Sequence, residues 1–262
     1  MISIVIPSHN EEKRIRRTLE TYGNFFSDKK KNRKIRNFEI LVVINNTKDR
    51  TEEVIKEFSK KYPEIRYLNF KPGGKGFAIT EGFKDALKRN NEIIGFIDAD
   101  MSTCPESFYA LIKALEKNRG VEGVIANRWD KRSIISPKQS LFRRFISRGY
   151  NLIVRTLFFF PYADTQCGAK VFRREVLEGN INKIISSQWN FDVALLFCLR
   201  KEANAKIIDI PTIWEDRQAS KINLKRTPIL MFASLIRLRL IHSPFKFLVR
   251  AYRKLPEKLK IH

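Results

Sequence analysis

The chain has 262 residues, with 51 lysines and arginines against 28 aspartates and glutamates, a formal net charge of +23. That length permits one large α/β domain with a sizeable core, and the charge calls for polyanionic company: nucleic acid, an anionic membrane surface or phosphorylated substrates. The three cysteines, Cys104, Cys167 and Cys198, are far apart and lack Cys-x-x-Cys spacing, so they support neither a disulfide framework nor a zinc site, and the default is a reducing compartment.

Residues 2–6 read as a short apolar strand. The start lacks the basic region and long apolar core of a signal peptide, so the expected location is the cytoplasm. Pro7-Ser8-His9-Asn10-Glu11-Glu12 turns this strand into a helix, with Asn10 as its N-cap and the acids in its first turn. A second strand over 39–44 ends at Asn45-Asn46-Thr47, a helix follows over 49–60, and 65–70 is a third strand. Pro72-Gly73-Gly74-Lys75-Gly76 is a flexible turn before a helix over 77–89. Its glycines and Lys75 suit an approaching phosphate, although it is neither a Walker motif nor Gly-x-Gly-x-x-Gly, and a plain glycine turn also accounts for it.

Ile93-Ile94-Gly95-Phe96-Ile97 then runs apolar into Asp98-Ala99-Asp100. The run predicts a buried parallel strand whose polar groups begin where it leaves the sheet. Alternation puts Asp98 and Asp100 on one side, with Ala99 leaving room between them. Two hard oxygen ligands with other positions open suit Mg²⁺ or Mn²⁺ carrying nucleotide phosphates, at the sheet edge where open α/β folds bind ligands. In isolation an Asp-x-Asp also serves simply to end a strand and cap the next helix.

A helix over 105–116 and a strand over 121–126 lead to Asn127-Arg128-Trp129. From 131 to 160 arginines and lysines alternate with large apolar residues, a pattern that fits a membrane interface or a helix packing one face on the sheet and solvating the other. The polar turn 164–168 enters a short strand, and Trp189-Asn190-Phe191-Asp192 opens a helix over 193–201 with Asp192 in its first turn, where an acid caps a helix. Further strands lie at 206–210 and 212–215. Residues 217–262 are basic and apolar with the single acid Glu257, and read as a docking arm for an anionic bilayer or as a solvated tail. No uncharged apolar stretch approaches the ~20 residues of a membrane-spanning helix, so membrane contact is expected to be peripheral. Strand and helix alternate closely, which implies an α/β fold with a mostly parallel sheet and helices on both faces.

The order and spacing of three segments resemble the family 2 glycosyltransferases, nucleotide-sugar enzymes of the Rossmann-like GT-A fold. They are the opening strand through Glu12, Gly74-Lys75-Gly76, and Asp98-Ala99-Asp100. Asp164-Thr165-Gln166-Cys167-Gly168, Val171-Phe172-Arg173-Arg174 and Trp189-Asn190-Phe191-Asp192-Val193 look most like the branch making dolichyl-phosphate glucose, near the dolichyl-phosphate mannose synthases. The resemblance covers 2–216, and implies a nucleotide-sugar half (1–128), an acceptor half (129–216) and the basic amphipathic arm (217–262).

It further implies that Pro7, His9 and Glu11 line the nucleotide site with Ala99, that Lys75 reaches the nucleotide, and that Asp98 and Asp100 hold the metal on the diphosphate. Arg128 is implied near an acceptor phosphate, with Arg143 or Arg144 as helpers, and Asp192 beside the acceptor, positioning it rather than removing a proton. Asn45 stands where the family has a carboxylate accepting from the base, which leaves uracil and guanine both open. His9 replaces a common tyrosine. The implied reaction is metal-dependent, inverting transfer of glucose or mannose from UDP-glucose or GDP-mannose to a polyprenyl (dolichyl) phosphate, at the cytoplasmic face of an anionic membrane. A hydroxyl acceptor on a glycan or protein is the alternative within the family. From another class, the charge also fits a basic nucleic-acid-binding protein, but no RNA- or DNA-binding motif accompanies it, so nucleic acid is not an expected partner.

Overall fold

The computed structural model describes residues 1–137, 141–184, 190–215 and 227–247, without the side chains of 141–143, 145 and 227–229. In chain order the elements are β1 (Ile2–Ser8), α1 (Ile15–Lys31), β2 (Phe38–Asn45), α2 (Thr51–Lys61), β3 (Ile65–Phe70), α3 (Lys75–Leu87), β4 (Ile93–Phe96), α4 (Pro105–Lys117) and β5 (Gly123–Asn127). There follow β6 (Ile134–Ser136), α5 (Leu141–Phe158), β7 (Lys170–Arg173), the single turn α6 (Arg174–Leu177), α7 (Phe191–Glu202), β8 (Ile207–Pro211), β9 (Ile213–Glu215) and α8 (Thr227–Ile241).

Seven strands form one sheet in the order β3-β2-β1-β4-β7-β5-β8. All neighbours pair parallel except β7, which lies antiparallel between β4 and β5. Every residue of β1 and β2 is buried because both faces of the sheet are covered. Alternation then sorts the side chains into two cores. Ile4, Ile6, Ile40 and Val42 pack with Leu19 and Phe26 of α1 and Phe108 and Leu111 of α4. Val5, Leu41 and Val43 face the other way, onto Ile79 and Phe83 of α3 and Leu195 and Leu199 of α7. The chain leaves β1 toward β2 on one side and returns as β4 on the other, so the sheet's switch point lies between β1 and β4.

Two expected boundaries are corrected. Asn10 does not cap α1: the helix begins at Ile15, and Asn10 adopts a left-handed φ of 55° while its side-chain oxygen accepts from the Lys48 amide at 2.8 Å. Asparagine tolerates that conformation, so the segment is used to bind the loops after β1 and β2 together. Helix α3 starts two residues earlier than the pattern indicated, because Gly74 takes a φ of 126° open to glycine.

The carboxyl-terminal arm is also not separate where it is described. Leu235 and Leu238 of α8 are buried in the same core as Val154 and Phe158 of α5, so a boundary at 216 divides side chains that share one core. Helix α8 is apolar nearly all round rather than amphipathic, as its sequence TPILMFASLIRLRLI shows. Residues 216–226 and 248–262 of the expected arm lie outside the described residues. No described helix is long and apolar enough to cross a membrane.

Candidate active site

The carboxyl ends of β1, β2, β4 and β5 and the amino ends of α3 and α7 converge at the switch point. Asp98 and Asp100 follow β4 and are partly exposed, whereas Ala99 between them is buried, as alternation requires. The Ala99 methyl joins the core and its carbonyl accepts from Thr18 of α1 at 2.7 Å. Ala99 is therefore a fastening of the acid turn rather than a lining residue. Asp100 accepts the Ser102 amide through Oδ1 at 3.0 Å. Gly168 lies against Asp98 so closely that an added Cβ would come 1.9 Å from Oδ2, a close approach only glycine permits.

Lys75, at the start of α3, places Nζ 2.5 Å from Asp98 Oδ1. Burial disfavours its charge, but Asp98 and Asp192 outweigh this and raise its pKa well above the ordinary lysine value. Gly76 makes that placement possible, since a Cβ there would meet the Phe191 ring at 2.8 Å and Phe191 opens α7. The beginnings of α3 and α7 thus touch, and the dipole ends of both helices face the acid pair.

Asn45 is buried and already occupied. Its Nδ2 donates to Ser8 O at 3.0 Å and its Oδ1 accepts the Gly74 amide at 2.9 Å. It clamps the glycine turn to the end of β1, which corrects its expected role as a reader of the base. Asn46, at the next position, is exposed. His9 is exposed at the sheet edge with Nδ1 2.9 Å from Asn45 O. Pro7 is buried within β1 opposite Val43. Both Glu11 oxygens accept from Arg14 at 2.6 Å. Burial pushes the Glu11 carboxyl up, the Arg14 interactions offset part of this, and Asp100 and Asp98 add to the rise.

Asp98 and Asp100 beside the single Lys75 leave excess negative charge, which suits a divalent cation. Among the described residues no group of three His, Cys, Asp or Glu side chains converges. The donor set fits an open site, two aspartates completed by phosphate and water, rather than an enclosed structural metal.

Arg128, after β5, is not a free cation. Its Nε and a terminal nitrogen donate to Asp164 at 2.6 and 2.9 Å, and Asp164 is fully buried. Its guanidinium also lies 5.6 Å from the Trp129 ring and 5.2 Å from the Trp214 ring. Burial drives the Asp164 carboxyl up, but the Arg128 charge and hydrogen bonds hold it below the usual range. The arginine expected near an acceptor phosphate is thus anchored by Asp164 through two of its three nitrogens.

Arg128 also lines a cavity of about 350 Å³ whose other cations are Lys131, Arg144 and Arg148. A second cavity of about 330 Å³ shares Trp129 and Arg148 and runs to Leu152 and Arg155 of α5. Leu152 is 64% exposed. The Arg143 side chain and Trp189 lie outside the described residues.

Asp192 sits in the first turn of α7, buried, with Oδ1 2.5 Å from Lys170 Nζ. Lys170 is fully buried on β7 and went unnoticed in sequence. The available signal was a lone charge in Ala169-Lys170-Val171-Phe172, because a lysine within a buried strand needs a buried partner.

Residues 3–180 match the family described as Glycosyl transferase family 2. The chain belongs to that family. This family 2 glycosyltransferase accordingly takes its hexose from a nucleotide sugar. A dolichyl-phosphate beta-glucosyltransferase of Trichomonas vaginalis is 30% identical to it over 256 residues, 96% of this chain and 77% of that one. The dolichyl-phosphate beta-glucosyltransferase of Homo sapiens is 28% identical over 228 residues, 84% of this chain and 69% of that one. Among solved structures, glucosyl-3-phosphoglycerate synthase from Mycobacterium tuberculosis, in complex with Mn²⁺, UDP and phosphoglyceric acid, aligns with a TM-score of 0.65 at 16% identity. It covers 91% of this chain and 78% of that one, and shows that the two share the GT-A fold.

Proposed function

We propose that this glycosyltransferase moves a hexose, glucose or mannose, from a nucleoside diphosphate sugar to a polyprenyl (dolichyl) phosphate, with inversion at the anomeric carbon. The observation that carries this reading is the cationic cavity beside Arg128, whose guanidinium also feels the charge of Asp98. Lys131, Arg144 and Arg148 line it, and none of them has a carboxylate partner among the described residues. Such a cavity suits a phosphate, and its continuation past Trp129 to the exposed Leu152 suits an apolar chain. The names of the Trichomonas and human relatives point the same way.

Asp98 and Asp100 would hold a divalent cation, which when bound supplies neutralising charge to the departing diphosphate. Mn²⁺ and UDP-glucose are bound in the solved glucosyl-3-phosphoglycerate synthase. The chain's own groups do the rest. The start of α3 and Lys75 draw the diphosphate to the glycine turn, and Arg144 and Arg148 orient the acceptor phosphate. One acceptor oxygen forms the new bond to the anomeric carbon as the bond to the nucleoside diphosphate breaks. A phosphate with a second pKa near ~6 is already an anion at neutral pH, so no side chain has to take a proton from it. We place the enzyme at the cytoplasmic face of an anionic membrane, on the strength of the net charge of +23 and of the exposed Leu152, Phe159 and Phe232.

The deciding assay offers UDP-glucose and GDP-mannose in parallel, each with dolichyl phosphate and Mn²⁺ or Mg²⁺, and reads labelled sugar in the organic phase. Lipid-borne label from one donor alone supports the reading and names the sugar. Donor hydrolysis with no lipid product at any acceptor concentration rejects it and directs attention to a hydroxyl acceptor.

A further inference from the structure

The buried lysine on β7 has no place in the reaction as drawn so far. Lys170 has no exposed surface and stands opposite Phe96 in the register of β7 with β4, two residues before Asp98. An ammonium here has lost its hydration, so the arrangement persists only if its donors are satisfied. One donates to Cys167 O at 2.5 Å and one to Asp192 Oδ1 at 2.5 Å, and the Phe96 ring centroid lies 5.2 Å from Nζ.

On the other side of the pair, the Asp192 side chain is 11% exposed and its Oδ2 accepts no hydrogen bond among the described residues. Lys75 lies 5.8 Å from the same Phe96 ring and feels the charge of Asp192 as well as that of Asp98. Asp98, Lys75, Asp192 and Lys170 therefore form a chain of alternating charge across the seam between the acid pair and α7. Helix α7 itself is fixed by Asn190, which accepts from Tyr150 of α5 at 2.8 Å and donates to Met231 O of α8 at 3.2 Å.

We propose that Lys170 is a positioning residue that holds Asp192 as a fixed hydrogen-bond acceptor for a substrate hydroxyl, in a site that serves an acceptor that is already an anion. This rests on the phosphate-acceptor reading above. With Oδ1 held by the buried ammonium at the start of α7, the Asp192 carboxylate is fixed in one orientation. One oxygen belongs to Lys170 and the other is left for substrate.

The test compares Lys170→Met, Asp192→Asn and the double variant by steady-state transfer to dolichyl phosphate, UDP and GDP affinity by calorimetry, and Tm. Lys170→Met is expected to lower kcat on the order of 10²-fold and leave nucleotide affinity within about twofold. The double variant is expected to match Asp192→Asn, because both changes act through one carboxylate. Independent, multiplying losses, or kcat retained within about threefold in Lys170→Met, overturn the proposal. A purely structural lysine would instead weaken nucleotide binding in step with kcat. If Lys170→Met does not fold, the double variant, which buries no unpaired charge, is compared with Asp192→Asn alone: equal kcat supports the proposal and a further tenfold loss rejects it. Wild-type transfer to dolichyl phosphate is the control. Its absence fails the acceptor reading alone, and the same comparison is then made on donor hydrolysis.

Discussion

At the scale of single residues, identity mattered less than partnership. Arg128 and Asn45 stand where a phosphate ligand and a base reader were expected, yet each is tied to the fold by two hydrogen bonds of its side chain. Arg128→Ala strands a fully buried Asp164, and removing one member of such a pair costs about 3–5 kcal/mol; urea unfolding should register that loss. Arg148→Ala, by contrast, should leave stability nearly unchanged and raise the KM for the lipid phosphate roughly tenfold, the size of one charge-assisted contact.

The Arg128–Asp164 pair also sets a pH dependence. The Asp164 carboxyl is depressed in the folded state, so its contribution is present above the unfolded value of about 3.9 and is lost as pH falls through the lower folded value. Stability should therefore drop as pH falls below about 4, and Asp164→Asn should flatten that part of the profile. Asp100→Asn keeps the shape and removes a charge, and should reduce transfer on the order of 10²-fold with Tm retained.

At the scale of elements, two glycines set the distances between chemical groups. Gly76 lets α3 rest on Phe191 and so brings Lys75 near Asp192, and Gly168 lets the 164–168 loop lie on Asp98. Gly168→Ala would force its new methyl into the Asp98 carboxylate and should cost more activity than Gly149→Ala on α5, where a Cβ meets nothing within 4 Å. Parallel kcat measurements decide this. Helix α8 belongs to the body of the enzyme: Leu235 is fully buried, so Leu235→Ala should destabilise by about 2–5 kcal/mol. Truncation near residue 226 would consequently lower Tm as well as remove basic residues, and a vesicle test should use point changes instead.

At the scale of the whole molecule, charge and apolar exposure act together. A net charge of +23 attracts an anionic bilayer over a Debye length, and Leu152, Phe159 and Phe232, at 64, 73 and 46% exposure, offer side chains to insert once it arrives. Sedimentation with anionic vesicles should be strong at low salt and weaken several-fold by about 0.5 M NaCl. Leu152→Glu with Phe159→Glu should reduce it further at fixed salt, and unchanged binding would assign adhesion to other parts of the chain.

The sequence by itself determined the alternation of strand and helix, the buried β1, β2 and β4, the position of the acid pair at a strand end, and the family. These depend on local period and on short motifs, which are written into adjacent residues. It could not say which polar groups remain free, because that depends on partners far apart in the chain: Asn45 with Gly74, Arg128 with Asp164, Lys170 with Asp192. Nor could it attach α8 to the core, since a helix apolar nearly all round looks alike whether lipid or protein covers it. Those outcomes were decided by the antiparallel insertion of β7 and by the packing of α5, α7 and α8 on one face of the sheet. Only there do residues distant in sequence come close enough to satisfy, or to leave open, one another's hydrogen bonds.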